Sequence, residues 1–387
     1  MRLFRAIFAV FLMASAPLAA GEGGALVIVG GGLSDDNDAV FDAFLGALPA
    51  TDAPIAIVPA ASGYPASSAA SFAGALVRRG IAPERIRIVR LAAEDDPETP
   101  EDESLWRGNG EDAGEVARLE DVGGIWFTGG DQARITATLL RGDGSESAML
   151  AALRNRFAQG AVIGGTSAGA AIMSDPMIVE GDPLSLLPGA GARRGALVTG
   201  RGLGFFAGGL VDQHFGERAR LIRLVAALRA VPPERRLGFG IDEDTALVVA
   251  PGGAMARVVG RGLVTLVDAR SAEYGTGQEL AVRGVAIAVL GEGSRFVPGA
   301  PLVMPQGAGA APAECPSVPA AGMAARSESR LVAGLADALA AGVQVTCLVA
   351  SGEVGLALRF HRAADPADGR LLLDAAPVSL RLAPSLP

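Results

Sequence analysis

The sequence contains no lysine: each of its 33 basic residues is arginine. A Walker A phosphate loop needs its lysine, and so does a pyridoxal Schiff base, so both chemistries are excluded. Histidine and cysteine are scarce, two of each: His214, His361, Cys315 and Cys347. None of them clusters with zinc-ligand spacing, which argues against a zinc hydrolase. The net charge is −9 and there is no long arginine run, which argues against nonspecific nucleic-acid binding. Beyond the first residues no apolar stretch approaches the ~18 residues of a membrane-spanning helix.

Half of the 387 residues are hydrophobic and 19% are charged, a composition that can bury a core. Residues 1–20 read as a secretory signal: Arg2 and Arg5, then an apolar stretch, then small residues up to Ala20. The mature chain is expected to be periplasmic or secreted, without a membrane span. Export permits disulfides, and Cys315 and Cys347 are expected to pair.

Short apolar runs at 25–29, 55–58, 86–91, 122–127 and 161–163 alternate with segments of helical character at 67–79, 131–140 and 147–158. This alternation predicts an α/β fold with a mostly parallel sheet sandwiched by helices. In such sheets ligands meet the carboxyl ends of the strands, where glycine-, serine- and aspartate-rich loops occur here. Residues 21–295 are taken as the main domain and the Pro/Gly/Ala-rich stretch 296–325 as a linker. Residues 326–387 are taken as a small C-terminal α+β extension, with a helix over 327–341 and strands near 343–349, 355–360 and 371–373.

Gly165-Thr166-Ser167-Ala168-Gly169 matches the G-x-S-x-G nucleophile elbow, with an apolar strand before it and a helix-forming stretch after it. The glycines remove side chains that would clash in the sharp turn, and the serine hydroxyl stands at a helix N-terminus whose amides can stabilise an oxyanion. A serine nucleophile needs a base. With two histidines to choose from, His214 is the stronger candidate: it lies 47 residues on, after an apolar segment at 205–211. For the orienting acid, Asp182 is favoured among the carboxylates between Ser167 and His214, with Glu180 as the alternative.

Four stretches together resemble the cyanophycinase and dipeptidase E-like family of serine peptidases. They are Thr128-Gly129-Gly130-Asp131-Gln132, Gly164 through Ala171, Asp212-Gln213-His214-Phe215, and Gly240-Ile241-Asp242-Glu243-Asp244-Thr245. The resemblance covers about residues 24–295. It implies a class I glutamine amidotransferase-like (flavodoxin-like) fold, with Ser167 as nucleophile, His214 as base and the amides of Gly130 and Ala168 as oxyanion hole. It further implies that Gln132, Asp212, Gln213, Arg218, Arg220 and Arg223 bind substrate, and that the substrate is an aspartyl-arginine polymer or dipeptide. It implies no metal or organic cofactor, and a homodimer. Many cyanophycinases carry a glutamate eighteen residues after the nucleophile, where this chain has Ser185. The dipeptidase branch has an aspartate fifteen after, which falls on Asp182.

The rival readings are an exported aspartyl dipeptidase, an ordinary α/β-hydrolase esterase and a noncatalytic binding module on the same scaffold. The 47-residue gap between serine and histidine is short for the esterase. The binding module needs neither Ser167 nor His214. A dinucleotide site at Gly30-Gly31-Gly32 lacks its third glycine, because Asp35 stands there.

Overall fold

The computed structural model describes residues 23–182, 196–277 and 280–299, and the backbone of three strands within 345–379. The expected signal at 1–20 and the expected helix at 327–341 lie outside the described residues. So do Ser185 and Cys315, and with Cys315 the proposed disulfide.

The first half of the chain alternates as the apolar runs predict. β1 (Leu26–Val29), α1 (Asp38–Leu45), β2 (Ile55–Val58), α2 (Pro65–Arg78) and β3 (Ile86–Ile88) lead to α3 (Ala113–Ala117) and β4 (Gly124–Phe127). Then come α4 (Gln132–Leu139), α5 (Ala148–Ala158), β5 (Val162–Thr166) and the short α6 (Ala168–Ala171). Caps set several of the helix starts: Asn37, Asp131 and Ser147 accept from the amides of Val40, Ala133 and Leu150. The strands are apolar on both sides because helices cover both faces.

β5 continues through Gly164 and Gly165, where the sequence suggested a turn. The glycines are needed inside the strand. A Cβ on Gly164 would lie 2.5 Å from the Trp126 ring, and one on Gly165 would lie 2.6 Å from the Gly169 carbonyl oxygen.

After a small hairpin of β6 (Met177–Glu180) and β7 (Val198–Gly200) come β8 (Leu210–Gln213), α7 (Leu221–Ala227) and β9 (Leu237–Ile241). β10 (Thr245–Val249), β11 (Ala256–Gly260), β12 (Val264–Asp268), β13 (Glu273–Tyr274), β14 (Val282–Leu290) and β15 (Arg295–Phe296) follow. Last are β16 (Val345–Ser351), β17 (Val354–Arg362) and β18 (Leu371–Ser379).

The first sheet has the order β15-β11-β10-β1-β5-β4-β2-β3. Its β1, β5, β4, β2 and β3 are parallel, and β10, β11 and β15 extend it antiparallel beyond β1. The second sheet runs β16-β17-β18-β14-β12-β9-β8 and is antiparallel except for the β8–β9 pair. The chain passes between sheets in the three-residue turn from β9 to β10, so the two sheets meet beside the carboxyl end of β1.

The described tail strands join the second sheet. β18 pairs with β14, and Leu373 is fully buried in an apolar cluster with Val282, Val285 and Ile287. β14 offers an edge, and β18 pairs along it, which carries β17 and β16 into the same sheet. Phe296, placed in the linker by composition, belongs to the edge strand β15, where it pairs with Ala256.

One face of the parallel sheet rests on an aromatic cluster. Phe44 of α1 meets Trp126 of β4 edge-on at 5.1 Å, and Phe72 of α2 stacks on Trp126 at 4.2 Å. Phe44 is fully buried. Phe44→Ala is expected to cost about 3–5 kcal/mol in urea unfolding of the chain. A cost below about 1 kcal/mol would mean that the cluster does not hold α1 to the sheet.

Candidate active site

β5 delivers Ser167 into the turn before α6 with φ 55° and ψ −107°. Such a left-handed backbone costs a non-glycine residue of order 1–3 kcal/mol, and it throws the side chain clear of the strand. The flanking glycines permit it: a Cβ on Gly169 would lie 2.5 Å from the Phe127 carbonyl oxygen. Ser167 Oγ lies 2.7 Å from His214 Nε2.

His214 follows β8 in the second sheet, also with positive φ, 46°. Its Nδ1 lies 2.6 Å from Oε1 of Glu243, in the turn between β9 and β10. An ionised carboxylate can only accept, so Nδ1 carries the hydrogen and donates to Glu243, which leaves Nε2 free to accept from the serine hydroxyl. Burial pushes His214 below its ordinary pKa; the Glu243 bond opposes this, while the charges of Arg218 and Arg220 add to the lowering. A hydroxyl, a neutral imidazole and a carboxylate in line can carry out acyl transfer by a nucleophile and general base.

The three glycines after β1 form the seat of this line. A Cβ on Gly31 would fall 2.3 Å from His214 Cε1, and one on Gly32 would fall 2.9 Å from Glu243 Oε2. Gly30 has no room either, with the Asp242 carbonyl oxygen 2.1 Å from the Cβ position. The segment therefore serves the histidine and its acid rather than a dinucleotide.

The orienting acid differs from the sequence reading. Glu180 is the exposed last residue of β6, and Asp182 lies two residues beyond it. That segment is tied elsewhere: Gln132 Nε2 donates to the carbonyls of Ile178 and Val179, and Arg223 Nη1 donates to Gly181. The β9–β10 turn instead returns beside β1 and brings Glu243 to the imidazole. Glu243 lies in one of the four stretches that carry the family resemblance, but after the histidine in sequence and so outside the span from Ser167 to His214.

Of the expected oxyanion amides, that of Ala168 directly follows the serine. Ala168 is the first residue of α6, so its N–H has no partner within the helix. A Cβ on Gly129 would lie 3.4 Å from Ser167 Cβ, which places the 128–130 loop against the nucleophile. Gly130 has φ 142°, and a Cβ there would strike the Ala61 carbonyl oxygen at 2.1 Å.

Of the expected substrate groups, Asp212, Gln213, Arg218 and Arg220 lie near the histidine, and several engage one another. Asp212, 1% exposed, is gripped by Nε and Nη2 of the buried Arg223. Arg220 Nη1 donates to both the carbonyl and the side-chain oxygen of Gln213. Burial lowers Arg220 to about 10, against the pull of Asp212, so it stays protonated at neutral pH. Arg218 is exposed. Ala219, with φ 50°, turns the chain between the exposed Arg218 and the buried Arg220. Among the described residues no group of three or more His, Cys, Asp or Glu side chains could hold a metal ion.

A sequence model of peptidase family S51 matches residues 26–256. The cyanophycinase of Geminocystis herdmanii is 33% identical over 253 residues, 64% of this chain and 83% of that protein. The cyanophycinase of Nostoc sp. is 32% identical over 279 residues, 70% and 84%. The cyanophycinase of Synechococcus elongatus is 40% identical over 169 residues, 43% of this chain; the match spans about half of that relative, 48%. A solved peptidase from an acI-B1 Actinobacterium aligns over 71% of this chain and 97% of its own, at 19% identity and a TM-score of 0.47. The family match covers more than half of the chain, and relatives above 30% identity align over more than four-fifths of their own length: the chain belongs to peptidase family S51.

Proposed function

We propose that the chain is an exported serine peptidase that hydrolyses β-aspartyl-arginine linkages. The observation that carries the reading is the line from Ser167 Oγ through His214 to Glu243, with spacings of 2.7 and 2.6 Å. Relatives named cyanophycinase support the substrate class. The first twenty residues support export, which N-terminal sequencing of the secreted form would check.

Ser167 attacks the β-aspartyl carbonyl carbon as His214 Nε2 takes its proton. The amides of Gly130 and Ala168 stabilise the oxyanion. His214 then gives the proton to the departing arginine amine, leaving an acyl-enzyme. Water, deprotonated by His214, attacks that ester and releases the aspartyl carboxylate and the serine. Glu243 holds the imidazole in the tautomer this cycle needs.

Hydrolysis of β-linked Asp-Arg polymer and of matched α- and β-linked Asp-Arg dipeptides tests the reading. β-Specific cleavage is expected, and Ser167→Ala should lower it by at least about a thousandfold. Cleavage of α-linked dipeptides alone would move the protein to the dipeptidase reading. No cleavage of any of these by folded protein would overturn the proposal.

Glu243→Gln is expected to lower kcat/KM by about 10²–10⁴-fold, while Asp182→Asn should cost far less. The reverse order would restore Asp182 as the orienting acid.

The pH profile carries a sign. The base must be neutral, and burial holds His214 below the ordinary imidazole value. The acid limb of kcat/KM should therefore lie below that value. Glu243→Gln removes an interaction that favours the imidazolium, so the limb should move to still lower pH as the plateau falls. A limb that rises in this variant would contradict the assignment.

A further inference from the structure

Two short turns carry the base and its acid: residues 214–218 after β8, and 242–244 between β9 and β10. They are laced together beyond the His214–Glu243 bond. The Phe215 amide donates to the Ile241 carbonyl at 3.1 Å. The Gly216 amide donates to Asp242 Oδ1 at 2.9 Å. In return the Glu243 amide donates to Glu217 Oε2 at 3.1 Å. Each turn thus offers a carboxylate to a backbone amide of the other, the reciprocal arrangement that a capping box makes at a helix start.

From this geometry we infer that Glu217 is a positioning residue, which holds Glu243 at the distance and angle its bond to His214 requires. This inference rests on the reading of Ser167, His214 and Glu243 as the catalytic line. The two halves of the clamp differ in support. Asp242 is 4% exposed, and its second oxygen accepts from the Leu263 amide at 3.1 Å, which fixes it to the start of β12. Glu217 is half-buried and rides on the histidine's own turn, which the Arg218 amide closes onto the His214 carbonyl. If Glu217 releases the Glu243 amide, the acid's backbone can shift relative to the imidazole.

The acceptor oxygen Oε2 of Glu217 does the holding, not the charge. Glu217 faces Asp242 and Glu243, and burial together with these two carboxylates pushes its pKa up. A protonated carboxyl keeps an acceptor oxygen for the Glu243 amide, so the clamp survives protonation. Glutamine keeps the same acceptor and alanine does not.

The experiment compares Glu217→Ala and Glu217→Gln in the full chain. The readouts are kcat and KM on a β-linked Asp-Arg dipeptide, thermal midpoint, and the rate at which a fluorophosphonate derivatises Ser167. In the labelling step the serine oxygen bonds to phosphorus, fluoride leaves and the hydroxyl proton goes to His214, so the rate reads the catalytic line without a peptide substrate. Glu217→Ala is expected to lower kcat and labelling by about tenfold or more, with KM within about twofold. Glu217→Gln should bring both back to within about twofold of the unmodified protein.

Folded Glu217→Ala that labels at the unmodified rate would overturn the proposal, as would a glutamine variant as slow as alanine. An unmodified, folded protein that does not label at all would instead remove the reading of Ser167 on which the proposal stands. Labelling without dipeptide cleavage would overturn only the substrate assignment and leave the labelling test of Glu217 intact.

Discussion

Three consecutive carbonyls at the end of β1 hold the site together. The oxygens of Val29, Gly30 and Gly31 accept from the amides of Ser167, His214 and Asp244, at 3.0, 2.6 and 2.8 Å. Ser167, His214 and Asp244 come from distant parts of the chain and from two sheets, yet each is referred to the same three peptide units. β1 is suited to this task because it lies inside the first sheet, parallel to β5 on one side and antiparallel to β10 on the other. The loop must be glycine because the imidazole and the Glu243 carboxylate lie where side chains would be.

The same three bonds meet the strain in the site. Ser167, His214 and Asp244 have φ of 55°, 46° and 55°. Such a residue costs of order 1–3 kcal/mol, and the net worth of one backbone hydrogen bond is about 0.5–1.5 kcal/mol. Each bond to the end of β1 therefore offsets part of the strain at the residue that makes it. Asp244 is further held by Ser34, Asn37 and Arg261, and Asn37 also caps α1. Asn37 thus ties the turn that carries Asp244 to the start of α1.

How much of this was legible in the sequence follows from the range of each interaction. The elbow is local: glycine, serine, glycine and a strand-to-helix transition lie within a few residues, and Ser167 could be picked from them. His214 stands out by scarcity, since the chain has two histidines. Glu243 was not legible, because what brings it to His214 is the return of β10 beside β1, a pairing between residues more than two hundred apart in sequence. The parallel core was legible from its both-faces-apolar runs. The second sheet was missed, although β12 and β14 are rich in valine and isoleucine, because nothing local says that β14 needs β18 to cover its edge.

The arginines after His214 also hold the protein's own structure. Arg223 gives donors to Asp212 and to Gly181. A buried pair of this kind adds little net stability against a hydrophobic substitute, and removing one partner strands a charge at a cost of about 3–5 kcal/mol. Its value lies in placement. Asp212 is two residues before His214, and Gly181 closes β6, so Arg223 fixes the strand end that presents the base relative to the β6 hairpin. Arg220 adds a second hold through Gln213, the residue next to the base. With Arg223 and Arg220 gripping the approach to His214, and Glu217 and Asp242 lacing the turn beyond it, the imidazole is held from both sides in sequence. The exposed Arg218 presents its charge from the same turn without entering that scaffold.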